Sequence, residues 1–139
     1  MPHDLTRFTT AQAPLLDQVR AELAAGAKRT HWMWFVFPQL TALGRSPTAQ
    51  HYGIADLAEA RAYLADPVLG PRLIEMTKIV NGVQGRTAHQ VFGSPDDLKF
   101  RSSMTLFAEA DPREPAFHEA LARYYDGEPD PRTLEILRA

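Results

Sequence analysis

Dipeptides in which a serine or an aspartate precedes a proline constrain the fold more than any other feature of this sequence. They include Ser46-Pro47, Asp66-Pro67, Ser94-Pro95 and Asp130-Pro131. The polar side chain caps free N–H groups at a helix start, and proline suits the first helical position because no hydrogen bond is lost there. Each pair therefore predicts the start of a helix, and together the pairs divide the chain into short helical segments.

Other start signals extend this pattern along the chain. Thr9 or Thr10 is expected to cap a helix that runs to about Ala25. Asp56 with Glu59 and Thr87 with Gln90 have the spacing of a capping box. Pro115 suits a first helical position. The predicted segments are 9–25, 47–52, 56–65, 67–80, 87–92, 95–109, 115–124 and 131–138. Because no long alternating β-branched segment occurs, we predict an all-α fold, a compact array of about seven short helices.

Composition limits the size of the fold and the classes of function. A chain of 139 residues that is 45% hydrophobic is expected to form one helical domain, residues 1–139. Its 15 basic and 17 acidic residues are scattered, which argues against a general nucleic-acid or membrane-surface binder. The absence of cysteine excludes disulfides and thiolate chemistry. The N-terminal residues lack the pattern of an export signal, so a cytoplasmic location is predicted.

The stretch from His31 to Leu40 has the strongest apolar character in the chain. It contains both tryptophans and two of the seven phenylalanines, and none of its ten residues is Asp, Glu, Lys or Arg. It is too short to span a bilayer, which needs about 20 apolar residues, so we expect it at the hydrophobic centre of the fold. We interpret it as a helix that ends near Phe37, because a residue before proline disfavours the α region. The indole N–H groups and the Gln39 amide need partners there, from the chain or from a ligand.

The helix predicted from Pro95 carries a second polar group. Lys99, Ser102 and Ser103 share one face because they are three and four residues apart. A cation beside two hydroxyls is suited to bind an anion or a nucleotide-like group, and a desolvated lysine activates a serine nucleophile in some enzymes. The simpler interpretation is a solvated lysine with serines that bond back to the carbonyl four residues earlier.

Motifs for metals and cofactors are missing from the sequence. His31 and His51 are able to act as acid, base or metal ligand. A zinc site needs three or four ligands, however, and neither a His-Glu-x-x-His nor a cysteine pattern occurs. There is also no dinucleotide-binding glycine motif, no Walker loop and no serine-hydrolase elbow. We therefore predict no metal and no cofactor.

Motifs along nearly the whole chain resemble those of one bacterial family. They include His31-Trp32-Met33-Trp34-Phe35, Phe37-Pro38-Gln39, Leu43-Gly44, Tyr63-Leu64, Leu69-Gly70 and the segment from Asp97 to Phe107. This is the domain of unknown function family numbered 1810, whose members often carry the label calpastatin. The resemblance implies a small, mostly helical fold and no established activity. Calpastatin inhibits proteases through flexible segments, whereas this composition is typical of a packed globule.

The resemblance suggests one group of site residues, on the hypothesis that the aromatic stretch packs against the helix of Lys99. The candidates are His31, Trp32, Trp34, Gln39, Tyr52, Lys99, Ser102 and Ser103. We predict a binding module for a small anionic or nucleotide-like ligand, with rings stacked on the indoles and the anion near Lys99. Two alternatives remain open: a hydrolase or transferase that uses Lys99 with Ser103, or His31 as base, and a helical protein-interaction module with an unknown partner.

Overall fold

Ten α-helices and two single 3₁₀ turns form the regular structure of residues 4–139, which the computed structural model describes. The helices are α1 (Thr6–Gln12), α2 (Leu16–Ala24), α3 (Met33–Val36), α4 (Pro47–His51), α5 (Leu57–Ala65), α6 (Leu69–Gly82), α7 (Ala88–Phe92), α8 (Asp96–Ala110), α9 (Pro115–Tyr125) and α10 (Pro131–Arg138). A single parallel bridge between Leu40 and Ile54 is the β pairing in this range. The predicted all-α fold class is confirmed. The first three residues lie outside the described residues. The predictions of the location and of the domain range 1–139 depend partly on them.

Most of the predicted caps are present. Ser46, Asp56 and Asp130 each accept the backbone N–H three residues later, at 3.1, 2.9 and 3.1 Å. Thr87 and Gln90 form a complete capping box at the start of α7. Each cap satisfies an N–H group that has no partner inside the helix, which is worth about 1 kcal/mol.

Two of the predicted helix starts are wrong. Thr9 and Thr10 do not cap a helix, because α1 already begins at Thr6. The segment predicted as one helix from Thr9 is divided at Pro14, because proline has no N–H to continue the hydrogen bonds of the preceding turn. The chain forms a 3₁₀ turn there, and α2 begins at Leu16. Ser94 does not cap α8; instead the carbonyl of Gly93 accepts the N–H of Asp97 at 2.9 Å.

Helix α8 lies at the centre of the fold and packs against α5, α7, α9 and α10. Phe100, Met104 and Phe107 of this helix are completely buried. The ring of Phe37 meets the ring of Phe100 edge to face, with centroids 4.9 Å apart. The aromatic stretch and the helix of Lys99 therefore pack together. Within the part of the chain that the structure describes, no helix is both long and apolar enough to cross a membrane.

Candidate functional site

A narrow crevice opens where α3 and α4 face the first turn of α8. Its lining residues are Met33, Trp34, Phe37, Gln39, Ala49, Tyr52 and Lys99. The free volume is about 10 Å³, which is room for a single water molecule. Of the predicted site residues, the crevice brings together Trp34, Gln39, Tyr52 and Lys99.

A lysine lies over the partly exposed ring of Trp34 at the mouth of this crevice. The Nζ atom of Lys99 is 5.3 Å from the ring centroid of Trp34, a distance at which a cation and an indole attract each other. The same Nζ is 3.6 Å from Oδ1 of Asp96. The other oxygen of Asp96 is 2.8 Å from Nζ of Lys28, so Lys28 is the closer partner of this carboxylate. Lys99 therefore retains charge and donors for another group.

Three neutral polar groups beside Lys99 make no hydrogen bond to any other described residue. They are the indole N–H of Trp34, the side-chain amide of Gln39 and the hydroxyl of Tyr52. The backbone holds two of them close, because the Gln39 carbonyl accepts the N–H of Ile54 at 2.9 Å. The ring of Tyr52 is held in place by contact with the ring of Phe35, and the two ring centroids are 5.2 Å apart. The crevice thus combines an apolar floor with polar groups whose hydrogen-bonding capacity is not filled by described residues.

Trp32 does not line the crevice, which corrects the predicted pair of indole walls. Its side chain is completely buried, and its indole N–H donates to Oε1 of Glu22 at 3.0 Å. Glu22 also accepts the backbone N–H groups of Arg29 and Thr30, at 2.8 and 3.1 Å, and the Thr30 hydroxyl at 2.7 Å. Burial raises the pKa of Glu22, but these hydrogen bonds outweigh it and lower the pKa to about 2. Trp32 and Glu22 therefore form a buried structural unit.

The two serines of α8 also lie outside the crevice. Ser102 Oγ donates to the carbonyl of Leu98 at 3.1 Å and lies 3.2 Å from Oδ2 of Asp130, so it supports the cap of α10. Ser103 is fully buried, and its hydroxyl makes no hydrogen bond within the described residues. The predicted convergence fails here because α8 is covered by neighbouring helices, and only its first turn reaches the crevice.

The histidine at the start of the aromatic stretch lies outside this group. His31 is exposed and does not line the crevice. Within residues 4–139, no group of three or more His, Cys, Asp or Glu side chains is placed to hold a metal ion. The residues that sequence reasoning missed are Glu22, Lys28 and Asp96, which hold the two tryptophans and their lysines in place.

Comparison with known proteins agrees with the motif pattern. The model of the family described as "Protein of unknown function (DUF1810)" matches residues 2–137. The crystal structure of the conserved hypothetical protein Rv1873 from Mycobacterium tuberculosis is similar over 100% of this chain and 99% of that chain, with 56% sequence identity and a TM-score of 0.98. Among curated proteins, none matches. The resemblance found in the motifs is confirmed, and the chain belongs to the DUF1810 family of proteins of unknown function.

Proposed function

We propose that the protein binds a small anionic ligand with a planar, nucleotide-like or aromatic group at the mouth of the crevice. The observation that carries this proposal is the position of Lys99 over Trp34, beside polar groups without partners. We also propose that the protein acts in the cytoplasm, and the absence of cysteine supports this location.

The charge of the ligand follows from the way Asp96 is shared. Its carboxylate is 2.8 Å from Lys28 but 3.6 Å from Lys99, so it neutralises the buried lysine first. An anionic group beside Lys99 gains a charge-assisted hydrogen bond, which is about twice as strong as a neutral one. The Gln39 amide and the Tyr52 hydroxyl supply both donors and acceptors for the orientation of the ligand.

The shape of the ligand follows from the free volume. About 10 Å³ inside the crevice is too little for a ring. The planar group therefore lies across the mouth, on the face of Trp34, and only an edge or a small substituent enters. The Lys99 side chain, 24% exposed and flexible, moves to admit the ring and then pairs with the anion.

The enzyme alternative receives less support. It requires the Ser103 hydroxyl to reach a substrate and a base, but this hydroxyl is fully buried and has no hydrogen-bond partner in the described chain. A nucleophile must lie within hydrogen-bond reach of its base. His31 as a base also lies outside the crevice. Recognition without chemistry fits the arrangement better.

The test is a thermal-shift screen against nucleoside monophosphates, aromatic carboxylates and sugar phosphates, with tryptophan fluorescence recorded alongside. A ligand at about 100 times its Kd stabilises the fold by about 2.7 kcal/mol, which raises the Tm by several degrees. We expect Lys99→Met to abolish the shift. Lys78→Met is the matched control, because Lys78 is exposed on α6, outside the crevice. A panel without hits that change the tryptophan fluorescence, or such hits that survive Lys99→Met, would overturn the proposal.

A further inference from the structure

A second depression lies between the α6–α7 loop and the last turn of α9. Its lining residues are Val83, Gly85, Arg86, Thr87, Arg123 and Tyr124. Its volume is about 470 Å³, within the usual range for small-molecule sites. None of the lining residues is acidic, so two guanidinium groups set the charge of this groove.

Neither of these two arginines forms an ion pair with a described residue. Other arginines of the chain do: Arg7 pairs with Glu59 at 3.5 Å and Arg20 with Glu75 at 2.8 Å. Arg86 and Arg123 are both exposed, yet they lie on the same groove without a carboxylate within reach. Their charges are available to a ligand.

Both guanidinium groups are nevertheless held in place. Nη2 of Arg86 donates to the carbonyl of Gln90 at 3.1 Å, and Nη2 of Arg123 donates to the carbonyl of Val83 at 3.3 Å. A Cβ added at Gly26 would lie 3.0 Å from Cδ of Arg86, so the stem of this arginine packs against the Gly26 backbone. Because a guanidinium has five N–H donors, each arginine keeps most of its donors for another partner.

The loop that lines the groove contains additional donors. The backbone N–H groups of Gln84, Gly85 and Arg86 make no hydrogen bond to other described residues. The Thr87 hydroxyl accepts the N–H of Gln90 at 3.1 Å and still has its own proton to donate. The groove therefore presents charged and neutral donors together.

We propose that this groove binds a phosphate monoester, with Arg86 and Arg123 on its phosphate oxygens. Planar guanidinium forks match the oxygens of a phosphate dianion, and pairs of this kind are strong because charge assists each hydrogen bond. The site is independent of the crevice, because it is formed by different elements and Lys99 takes no part in it.

The experiment uses the full chain, labelled with ¹⁵N and titrated at constant ionic strength with inorganic phosphate, then with methyl phosphate, a monoester without a ring. We expect shift changes at the amides of residues 84–87 and 123, and binding of methyl phosphate at least as tight as that of inorganic phosphate. Arg86→Gln or Arg123→Gln should weaken binding by about tenfold or more. The matched control is Arg113→Gln, which removes an exposed arginine before the start of α9.

Several results would overturn this proposal. Absence of shift changes at residues 84–87 and 123 would remove the groove as the phosphate site, and an equal loss in Arg113→Gln would indicate general charge attraction. If a glutamine variant fails to fold, Arg86→Lys and Arg123→Lys keep the charge but lose the fork, and unchanged affinity in both would contradict the proposal. The shift changes at residues 84–87 should persist in Lys99→Met, so this test is separate from that of the crevice.

Discussion

Trp32 and Trp34 are two residues apart, and each has a lysine over its ring, yet the two side chains have different roles. Lys28 lies 5.1 Å from the ring of Trp32, and Lys99 lies 5.3 Å from the ring of Trp34. Both lysines share the carboxylate of Asp96. Residue types alone would assign the two pairs the same function.

The difference lies in whether the polar groups find partners within the chain. The Lys28 side chain is 6% exposed and the Lys99 side chain 24% exposed, and the indole of Trp32 donates to Glu22 while that of Trp34 has no partner among the described residues. The first pair is a closed structural unit, and the second is an open one. For these two tryptophan–lysine pairs, unfilled hydrogen-bond capacity distinguishes the candidate site from the buried structural unit.

The largest contrast is expected from removal of each indole. Trp32→Ala leaves a cavity in the core and Glu22 without one of its donors, so we expect a loss of about 3–5 kcal/mol in the free energy of unfolding. Trp34→Ala removes a partly exposed ring and should cost about 1 kcal/mol. Urea denaturation of both variants measures the two losses in the free energy of unfolding, and equal losses would contradict the distinction between the two tryptophans.

Acid should destabilise the closed pair through Glu22. Its pKa is about 2 in the folded protein, against an ordinary value of 4.5. A depressed pKa contributes stability above the unfolded value, and this contribution is lost as the pH falls from about 4.5 to about 2. We expect about 3 kcal/mol to be lost in this window. Glu22→Gln cannot titrate, so the stability difference between wild type and variant should shrink by that amount. A constant difference would contradict the role of Glu22.

Removal of each lysine charge compares the two pairs directly. Lys28→Met deprives Asp96 of its closer partner in a buried position, and we expect a loss of about 2 kcal/mol. Lys99→Met removes a longer, more exposed contact and should change stability by less than about 0.5 kcal/mol. Thermal and urea unfolding measure both. If Lys99→Met were the more destabilising variant, Lys99 would be structural and the crevice would lose its basis.

Small effects are also expected from the serines of α8. Ser102→Ala removes hydrogen bonds to Leu98 and Asp130 and should cost about 1 kcal/mol. Ser103→Ala removes a buried hydroxyl without a partner, so it should not lower stability. Neither variant should change ligand affinity at the crevice. Loss of binding in Ser103→Ala would restore this residue to the site.

The helical fold was predictable because its signals are local. A cap such as Ser46 acts on an N–H only three residues away, so the sequence contains the whole interaction. The break at Pro14 is local as well, since a missing N–H interrupts the helix wherever it falls. At the start of α8 the Gly93 carbonyl, and not the Ser94 side chain, accepts the N–H of Asp97, and Gly93 adopts a φ of 74°, which glycine favours.

The candidate site was only partly predictable because it depends on contacts between distant segments. The pairing of Lys99 with Trp34 joins residues 65 positions apart, and it was expected only on the hypothesis that their segments pack together. The helix macrodipole is enough to explain an aspartate such as Asp96 in the first turn of a helix. Its position in the sequence therefore does not indicate that its carboxylate lies between two lysines. Glu22 lies ten residues before Trp32, without any motif that connects them. Tertiary packing decides which of the two indoles is fully buried.

Hydrogen–deuterium exchange of the two indole N–H groups, followed by NMR, tests the central claim most directly. We predict that the Trp34 indole exchanges at nearly the rate of an exposed side chain, because no group among residues 4–139 accepts its hydrogen. The Trp32 indole, bonded to Glu22 in the core, should exchange only when the protein unfolds. Equal protection of both indoles would mean that Trp34 is closed like Trp32, and rapid exchange of both would mean that Trp32 is open; either result would contradict the account.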